Sequence, residues 1–165
     1  MTGAVLVVGY GNTLRTDDGV GRHAAQQLVT DPRLDRATVI ACHQLAPELA
    51  LDLSQAAFAV LIDASATQPA GTFAIEPLSV VPAGSSGSHH VDAAELVGLA
   101  ATLYGHAPEV VTVSVGAASF ELGEGLSPVV EAVLPQVIEA VVELVTPRLA
   151  GGDSRPPTVE AAGRA

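Results

Sequence analysis

Short runs of β-branched and aliphatic residues alternate with helical patterns along this chain. The runs have the length and apolar continuity of strands buried on both faces, and they lie at residues 5–8, 38–42, 57–62, 72–75 and 110–115. Apolar residues recur at helical spacing over residues 20–28, 47–53 and 93–104, and again in a last helix after Ser127 and Pro128. We therefore predict an α/β fold with three α/β/α layers and a twisted, mostly parallel sheet of about five strands.

The length of the chain sets the number of domains. With 165 residues, of which 48% are hydrophobic, it has enough apolar material for one core and too little length for a second. From Pro147 onward, proline, glycine and arginine occur without apolar periodicity. We predict one domain over residues 1–146 and a flexible tail over residues 147–165.

The charge of the chain excludes two classes of partner. The formal net charge is −11, and all seven basic residues are arginines. Such a surface repels phosphate backbones and anionic lipid headgroups, so we expect no nucleic acid and no membrane as partner. The first apolar run is too short for a signal peptide, and a cytoplasmic location is expected.

Cys42 is the only cysteine. A zinc site built from cysteines is therefore excluded, and a metal would have to be held by carboxylates and imidazoles. Cys42 precedes His43, but neighbours in a strand point to opposite faces, so the two cannot readily form a nucleophile and its base. We predict that Cys42 is a buried structural residue.

The most informative segment joins the first strand to the first helix, at residues 9–21. Its glycines resemble a dinucleotide-binding loop, but Leu14 occupies the position of the third glycine, and Cys42-His43 stands where that fold has an acid. Asp17 and Asp18 would also repel a pyrophosphate at the helix start. Nucleotide binding is therefore disfavoured.

Two interpretations of the acids in this segment remain open. Thr16 could cap the helix, with Asp17 and Asp18 stabilising its first turn through the helix dipole. However, Gly19 and Gly21 disfavour a helix at the same place, which indicates that the backbone must approach another group closely. This favours a functional site that contains Asp18, although spacing alone does not choose between the two aspartates.

Asp63 ends a buried run, at the edge of the sheet where open α/β folds bind ligands. Capping the next element is its alternative role. His89 and His90 follow a glycine- and serine-rich loop. Two carboxylates and one imidazole at the same edge of the sheet would form a metal site with open positions for water or substrate.

The helix after the histidines has two candidate N-caps. Asp92, with Glu95 three residues later, has the spacing of a capping box. Ser88 is the alternative cap, and it would place His89 in the first turn of the helix.

The motif Gly9-x-Gly11-Asn12-x-Leu14-x-x-Asp17-Asp18-Gly19-x-Gly21 resembles the N-terminal signature of the hydrogenase maturation proteases. The resemblance continues through Leu61-Ile62-Asp63-Ala64, Ser88-His89-His90 and the segment from Phe120 to Pro128, and so spans about residues 4 to 146.

This resemblance implies that Asp18, Asp63 and His89 form the metal-recognition and catalytic site, with His90 as the alternative to His89. It implies an endopeptidase that removes the C-terminal extension of a nickel-iron hydrogenase large-subunit precursor after nickel insertion. The precursor would supply the nickel, and we expect no tightly bound cofactor in the free protein. A carboxylate near the metal could be ligand, general base or electrostatic support, and we favour metal-assisted attack by water.

Two other functions use the same residues. One is a non-proteolytic, metal-dependent hydrolase of a small amide, which would need a closed pocket. The other is a non-catalytic, nickel-sensing partner in hydrogenase assembly.

Overall fold

The computed structural model describes residues 3–78 and 92–150. Five strands and four helices alternate along these residues, together with short 3₁₀ turns at Thr16–Gly19 and Pro32–Leu34. The strands are β1 (Val5–Tyr10), β2 (Thr38–Cys42), β3 (Phe58–Ser65), β4 (Phe73–Pro77) and β5 (Glu109–Gly116), and the helices are α1 (Val20–Leu28), α2 (Leu49–Ser54), α3 (Ala93–Tyr104) and α4 (Pro128–Ala150).

The strands form one sheet in the order β2-β1-β3-β5-β4. All neighbours are parallel except β4, which pairs antiparallel with β5 at the edge. Helices α1 and α4 cover one face of the sheet, and α2 and α3 cover the other. The predicted α/β fold with a mostly parallel sheet of five strands is confirmed.

The two faces explain why the strand sequences are continuous apolar runs. Along β3, Val60 and Ile62 join the core beneath α1 and α4, whereas Ala59 and Leu61 join the core beneath α2 and α3. A strand in the middle of the sheet therefore needs apolar side chains on both sides.

Several elements extend beyond their apolar runs. Strand β1 continues to Tyr10 and β3 to Ser65, so both carry polar side chains beyond the core at their carboxyl ends. Helix α4 continues to Ala150, past residue 146, at which the domain is predicted to end. Residues 151–165 of the predicted tail lie outside the described residues. No helix within residues 3–78 and 92–150 is long and apolar enough to span a bilayer.

Helix α1 begins in direct contact with the ends of two strands. A Cβ atom on Gly21 would lie 2.1 Å from the carbonyl oxygen of Ile62 and 2.6 Å from that of Tyr10. Both obstacles are backbone atoms of the sheet. Glycine at this position therefore lets the helix start close to the carboxyl edge of β1 and β3, as the helix-disfavouring glycines predicted.

We predict that Gly21→Ala lowers the free energy of unfolding by more than about 2 kcal/mol, because neither the helix nor the sheet backbone can move freely. Urea denaturation followed by circular dichroism measures this. Gly123→Ala is the matched control, since its Cβ would meet only the Thr16 hydroxyl at 3.5 Å. Equal stability of the two variants would contradict the close approach of α1 to the sheet.

Candidate active site

A row of polar side chains crosses the sheet at the carboxyl ends of the strands. The strand register pairs Tyr10 with Cys42 and Asp63 with Ser114. Tyr10, Cys42 and Asp63 each follow, two residues later in the strand, an apolar residue that packs beneath α2 and α3. Their side chains therefore lie on that same face of the sheet. Since β1 and β3 are neighbours, Tyr10 and Asp63 lie beside each other in the middle of the row.

Asp63 is a half-buried carboxyl group with two hydrogen-bond donors. The backbone N–H of Ala64 donates to its Oδ1 at 2.7 Å, and the Tyr10 hydroxyl donates to the same carboxyl group. Burial raises the pKa of Asp63 to about 6, the charge of Asp18 adds to this, and the two hydrogen bonds oppose it. Asp63 is thus destabilised as an anion, and it lies within β3 and does not cap a helix.

Tyr10 is a residue of this site that the sequence analysis missed. Burial, and then the charge of Asp63, raise the pKa of the Tyr10 hydroxyl above its usual range, so it remains a proton donor. The charge of Asp92 also raises the pKa of Tyr10, so the start of α3 lies near the same edge of the sheet. The sequence does show a tyrosine directly after an apolar run. That Tyr10 belongs with Asp63 follows only from the strand order, in which β1 lies next to β3.

Asp18 reaches the site from the loop between β1 and α1. Its Oδ2 accepts a hydrogen bond from the backbone N–H of Asn12 at 2.9 Å, and Asn12 Oδ1 accepts one from the N–H of Leu14 at 2.9 Å. Gly11 has φ +147°, and a Cβ there would lie 1.8 Å from the Asp18 carbonyl oxygen. The glycine and asparagine of the motif thus fold the loop around Asp18.

Asp17 has a different role from Asp18. It is fully buried, at 0% exposure. Its carboxylate accepts hydrogen bonds from the backbone N–H groups of Ala118, Ser119 and Ser127 at 2.8, 3.1 and 2.7 Å, and from the Ser127 hydroxyl at 2.7 Å. Asp17 therefore ties the β1–α1 loop to the β5–α4 loop, and Asp18 is the aspartate whose charge acts on Asp63.

The structure corrects the alternative interpretation of Thr16 as a helix cap. Thr16 makes no capping hydrogen bond, since its hydroxyl donates to the carbonyl oxygen of Glu121 at 2.6 Å. Its φ of +52° is unusual for a residue with a side chain. Its backbone N–H donates to Gly123, so cross-loop hydrogen bonds hold this conformation.

The other predicted residues divide into described and undescribed ones. His89, His90 and Ser88 lie outside the described residues. Asp92 is the N-cap of α3 and forms a capping box with Glu95, so the alternative cap at Ser88 is wrong. Within residues 3–78 and 92–150, no three His, Cys, Asp or Glu side chains are grouped to hold a metal ion.

Cys42 is half-buried rather than fully buried. Burial raises the pKa of its thiol, so it is not activated as a nucleophile. It lies next to Tyr10 at the end of the polar row, which places it at the border of the site.

Comparison with known proteins relates this architecture to a family. No family model and no curated protein sequence matches the chain. Solved structures do match: the hydrogenase maturating endopeptidase HybD from E. coli is 26% identical, with a TM-score of 0.65 over 90% of this chain and 94% of that chain. An endopeptidase from E. coli is 27% identical, with a TM-score of 0.63 over 91% and 95%. The chain is thus similar, in fold and at about a quarter of its aligned residues, to hydrogenase maturation endopeptidases.

A further structure of this family has the same fold. The [NiFe] hydrogenase maturation protease HycI from Thermococcus kodakarensis KOD1 is 20% identical, with a TM-score of 0.65 over 91% of this chain and 94% of that chain. The two E. coli endopeptidase structures confirm the resemblance and the enzyme class, a peptidase, that the sequence predicts.

We predict effects of very different size from the same substitution at the two adjacent aspartates. Asp17→Asn replaces a carboxylate oxygen by an amide that cannot accept from the surrounding N–H groups, and the loss of a charged hydrogen bond costs about 2 kcal/mol or more of unfolding free energy. Asp18→Asn should change stability by less than about 0.5 kcal/mol. Thermal and urea denaturation of both variants test this, and equal destabilisation would contradict the division of roles.

A second prediction concerns the pH dependence of stability. The pKa of Asp63 is near 6 in the folded protein, above its usual value of 3.8. Protonated Asp63 therefore favours the folded state and ionised Asp63 disfavours it. The stability that Asp63 contributes at low pH is lost as the pH rises from about 4 through 6. A shift of this size corresponds to about 3 kcal/mol, which partial solvent access reduces. Asp63→Asn should therefore stabilise the protein by about 2 kcal/mol at pH 8 and much less at pH 4. Urea denaturation across this range measures the difference, and a gain that does not change with pH would contradict it.

Proposed function

We propose that this chain is the endopeptidase that removes the C-terminal extension of a nickel-iron hydrogenase large-subunit precursor once nickel has been inserted. In this proposal Asp18 and Asp63, together with His89, recognise the nickel of the precursor. The similarity of the chain to a hydrogenase maturating endopeptidase supports the general activity. The residue assignment rests on one observation, the interaction of two carboxylates at the sheet edge.

That interaction is the repulsion between the negative charges of Asp18 and Asp63. Asp18 raises the pKa of Asp63, and no cationic side chain within the described ranges 3–78 and 92–150 is among the groups that lower it. A divalent cation between the two carboxylates would remove the repulsion and replace the lost hydration of Asp63 with ligand bonds. The arrangement therefore favours a cation that arrives with the substrate.

The donor set fits a transient metal ion better than a resident one. Two carboxylates and one imidazole lack the thiolates that hold nickel or zinc tightly. Nickel that is still bound by the precursor's own ligands would need only the few positions that this site offers. Cleavage would then depend on whether nickel loading is complete, because unloaded precursor would lack the shared ion.

We infer that water performs the cleavage. The oxygen of a water molecule adds to the carbonyl carbon of the scissile peptide, the carbon–nitrogen bond breaks, and the proton released by the water reaches the leaving amine. The bound nickel would polarise the water or the carbonyl group. Whichever of Asp18 and Asp63 is not a metal ligand during the reaction could accept the proton of that water.

The expected setting of the reaction follows from the sequence. We propose a cytoplasmic enzyme whose macromolecular partner is the hydrogenase precursor, with neither nucleic acid nor membrane as partner. The acidic surface implied by the net charge of −11 agrees with this.

The test uses purified protein and nickel-loaded precursor, with the mass of the large subunit as the readout. Wild type should shorten the loaded precursor and leave nickel-free precursor intact. Asp18→Asn and Asp63→Asn should each reduce the rate by at least about 100-fold, because each removes a ligand charge from the site. Asp35→Asn, at an exposed aspartate after the second 3₁₀ turn, is the matched control and should cleave normally.

Three results would contradict the proposal. Equal cleavage of loaded and nickel-free precursor would contradict the proposal that the enzyme senses nickel. Full activity of both Asp18→Asn and Asp63→Asn would contradict the assignment of these residues to the site. Binding of loaded precursor without any change in mass would instead identify a non-catalytic assembly partner.

A further inference from the structure

Two leucine side chains next to the candidate site are exposed to solvent. Leu122 is 87% exposed and Leu14 is 57% exposed. They lie in the β5–α4 loop and the β1–α1 loop, the two loops that Asp17 joins. Single exposed leucines are common on protein surfaces, whereas exposed apolar side chains that adjoin one another form a patch on which a partner can pack.

The backbone places these leucines side by side. Arg15 and Gly123 form a parallel bridge, with the Gly123 N–H donating to the Leu14 carbonyl and the Thr16 N–H donating to the Gly123 carbonyl, both at 2.9 Å. Leu14 and Leu122 each precede a member of this bridge, so the parallel register pairs them on the same face. We call residues 14–16 and 120–123 the leucine ledge.

The leucine ledge is held in place by several cross-loop hydrogen bonds. The Thr16 hydroxyl donates to the Glu121 carbonyl at 2.6 Å, and Arg15 Nε donates to the Phe120 carbonyl at 3.1 Å. The buried Asp17 carboxylate fastens the loop on either side of this segment. The leucines are thus presented on a fixed backbone, which lowers the entropic cost of binding a partner there.

The leucine ledge is connected directly to the candidate site. Asn12 links the two, because its side chain accepts from the Leu14 N–H while its own N–H donates to the Asp18 carboxylate. A polypeptide that brings a metal ion to Asp18 would therefore pass over or beside Leu14.

Charge around the leucines indicates the chemistry of the partner. Glu121 and Glu124 are exposed in the same loop as Leu122, and the partly exposed Asp18 belongs to the same loop as Leu14. Arg15 is the cation of the leucine ledge, and its guanidinium already donates to a carbonyl group. The apolar pair is thus flanked mainly by carboxylates, which complements a lysine or arginine next to an aliphatic side chain.

We propose that the leucine ledge docks the precursor polypeptide beside its metal centre, through a segment that carries an aliphatic side chain next to a lysine or arginine. The aliphatic side chain packs on Leu14 and Leu122, and the basic side chain pairs with Glu121 or Glu124. This inference rests on the proposed function for the identity of the partner. It adds a recognition surface that is separate from the metal-recognising carboxylates.

The test compares cleavage of nickel-loaded precursor by wild type and by the double variant Leu14→Ser/Leu122→Ser. The double variant should raise KM by at least about ten-fold with kcat within about two-fold, because the leucines act in docking and not in bond cleavage. Glu121→Gln/Glu124→Gln should raise KM at low salt and have less effect at high salt. Leu103→Ser, at a leucine that is 60% exposed near the far end of α3, is the matched control and should behave as wild type.

Binding to the uncleaved precursor separates this inference from the proposed function. Precursor affinity is measured by titrating nickel-free precursor, which the proposed function leaves uncleaved, against wild type and against the leucine double variant, and the two substitutions should weaken it to about the extent that they raise KM. If wild type binds but never cleaves, the proposed function fails and the affinity still tests the leucine ledge. Unchanged KM and affinity in the leucine variant, with wild type active, would overturn the leucine ledge alone, and absence of binding of both loaded and nickel-free precursor to wild type would overturn both proposals.

Discussion

The buried carboxylate of Asp17 is the interaction on which the geometry of the site depends. It accepts four hydrogen bonds from the β5–α4 loop while belonging to the turn that leads into α1. Without those donors, a fully buried charge would be strongly destabilising. Because the donors are present, the two loops form one unit, which fixes both the position of Asp18 and the surface that carries Leu14 and Leu122.

Asp63 presents the opposite case, a half-buried carboxyl whose ionised form is not fully compensated. Its hydrogen bonds from Ala64 and Tyr10 do not offset burial and the neighbouring charge of Asp18. A well-compensated carboxylate, Asp17, therefore occurs in the same turn as Asp18, whose charge adds to the destabilisation of ionised Asp63. This contrast is what a site for an external cation requires, since full internal compensation would leave nothing for the cation to stabilise.

Much of this architecture could be predicted from the sequence, because it depends on local patterns. The apolar runs gave the strands within a few residues, and Asp63 could be placed because it directly follows such a run. The glycines of residues 9–21 indicated close backbone contact, which Gly21 makes with the ends of β1 and β3.

The features that could not be predicted depend on contacts between distant residues. Asp17 and Asp18 are adjacent and chemically identical in sequence, and only the β5–α4 loop, about 100 residues away, distinguishes them. Tyr10 joins the site because β1 lies next to β3, and the sequence does not specify that order. The pairing of Leu14 with Leu122 likewise requires the bridge between two loops. His89 and His90 remain predictions.

We propose that Asp18 and Asp63 bind nickel carried by the precursor. X-ray absorption at the nickel edge measures this directly, because it reports the ligands of the metal in the loaded precursor before and after the enzyme is added. With a slowly cleaved precursor, we expect additional oxygen ligands at about 2.0–2.2 Å when wild type is added, and no such change when Asp18→Asn/Asp63→Asn is added. An unchanged nickel environment in a complex that goes on to be cleaved would contradict it.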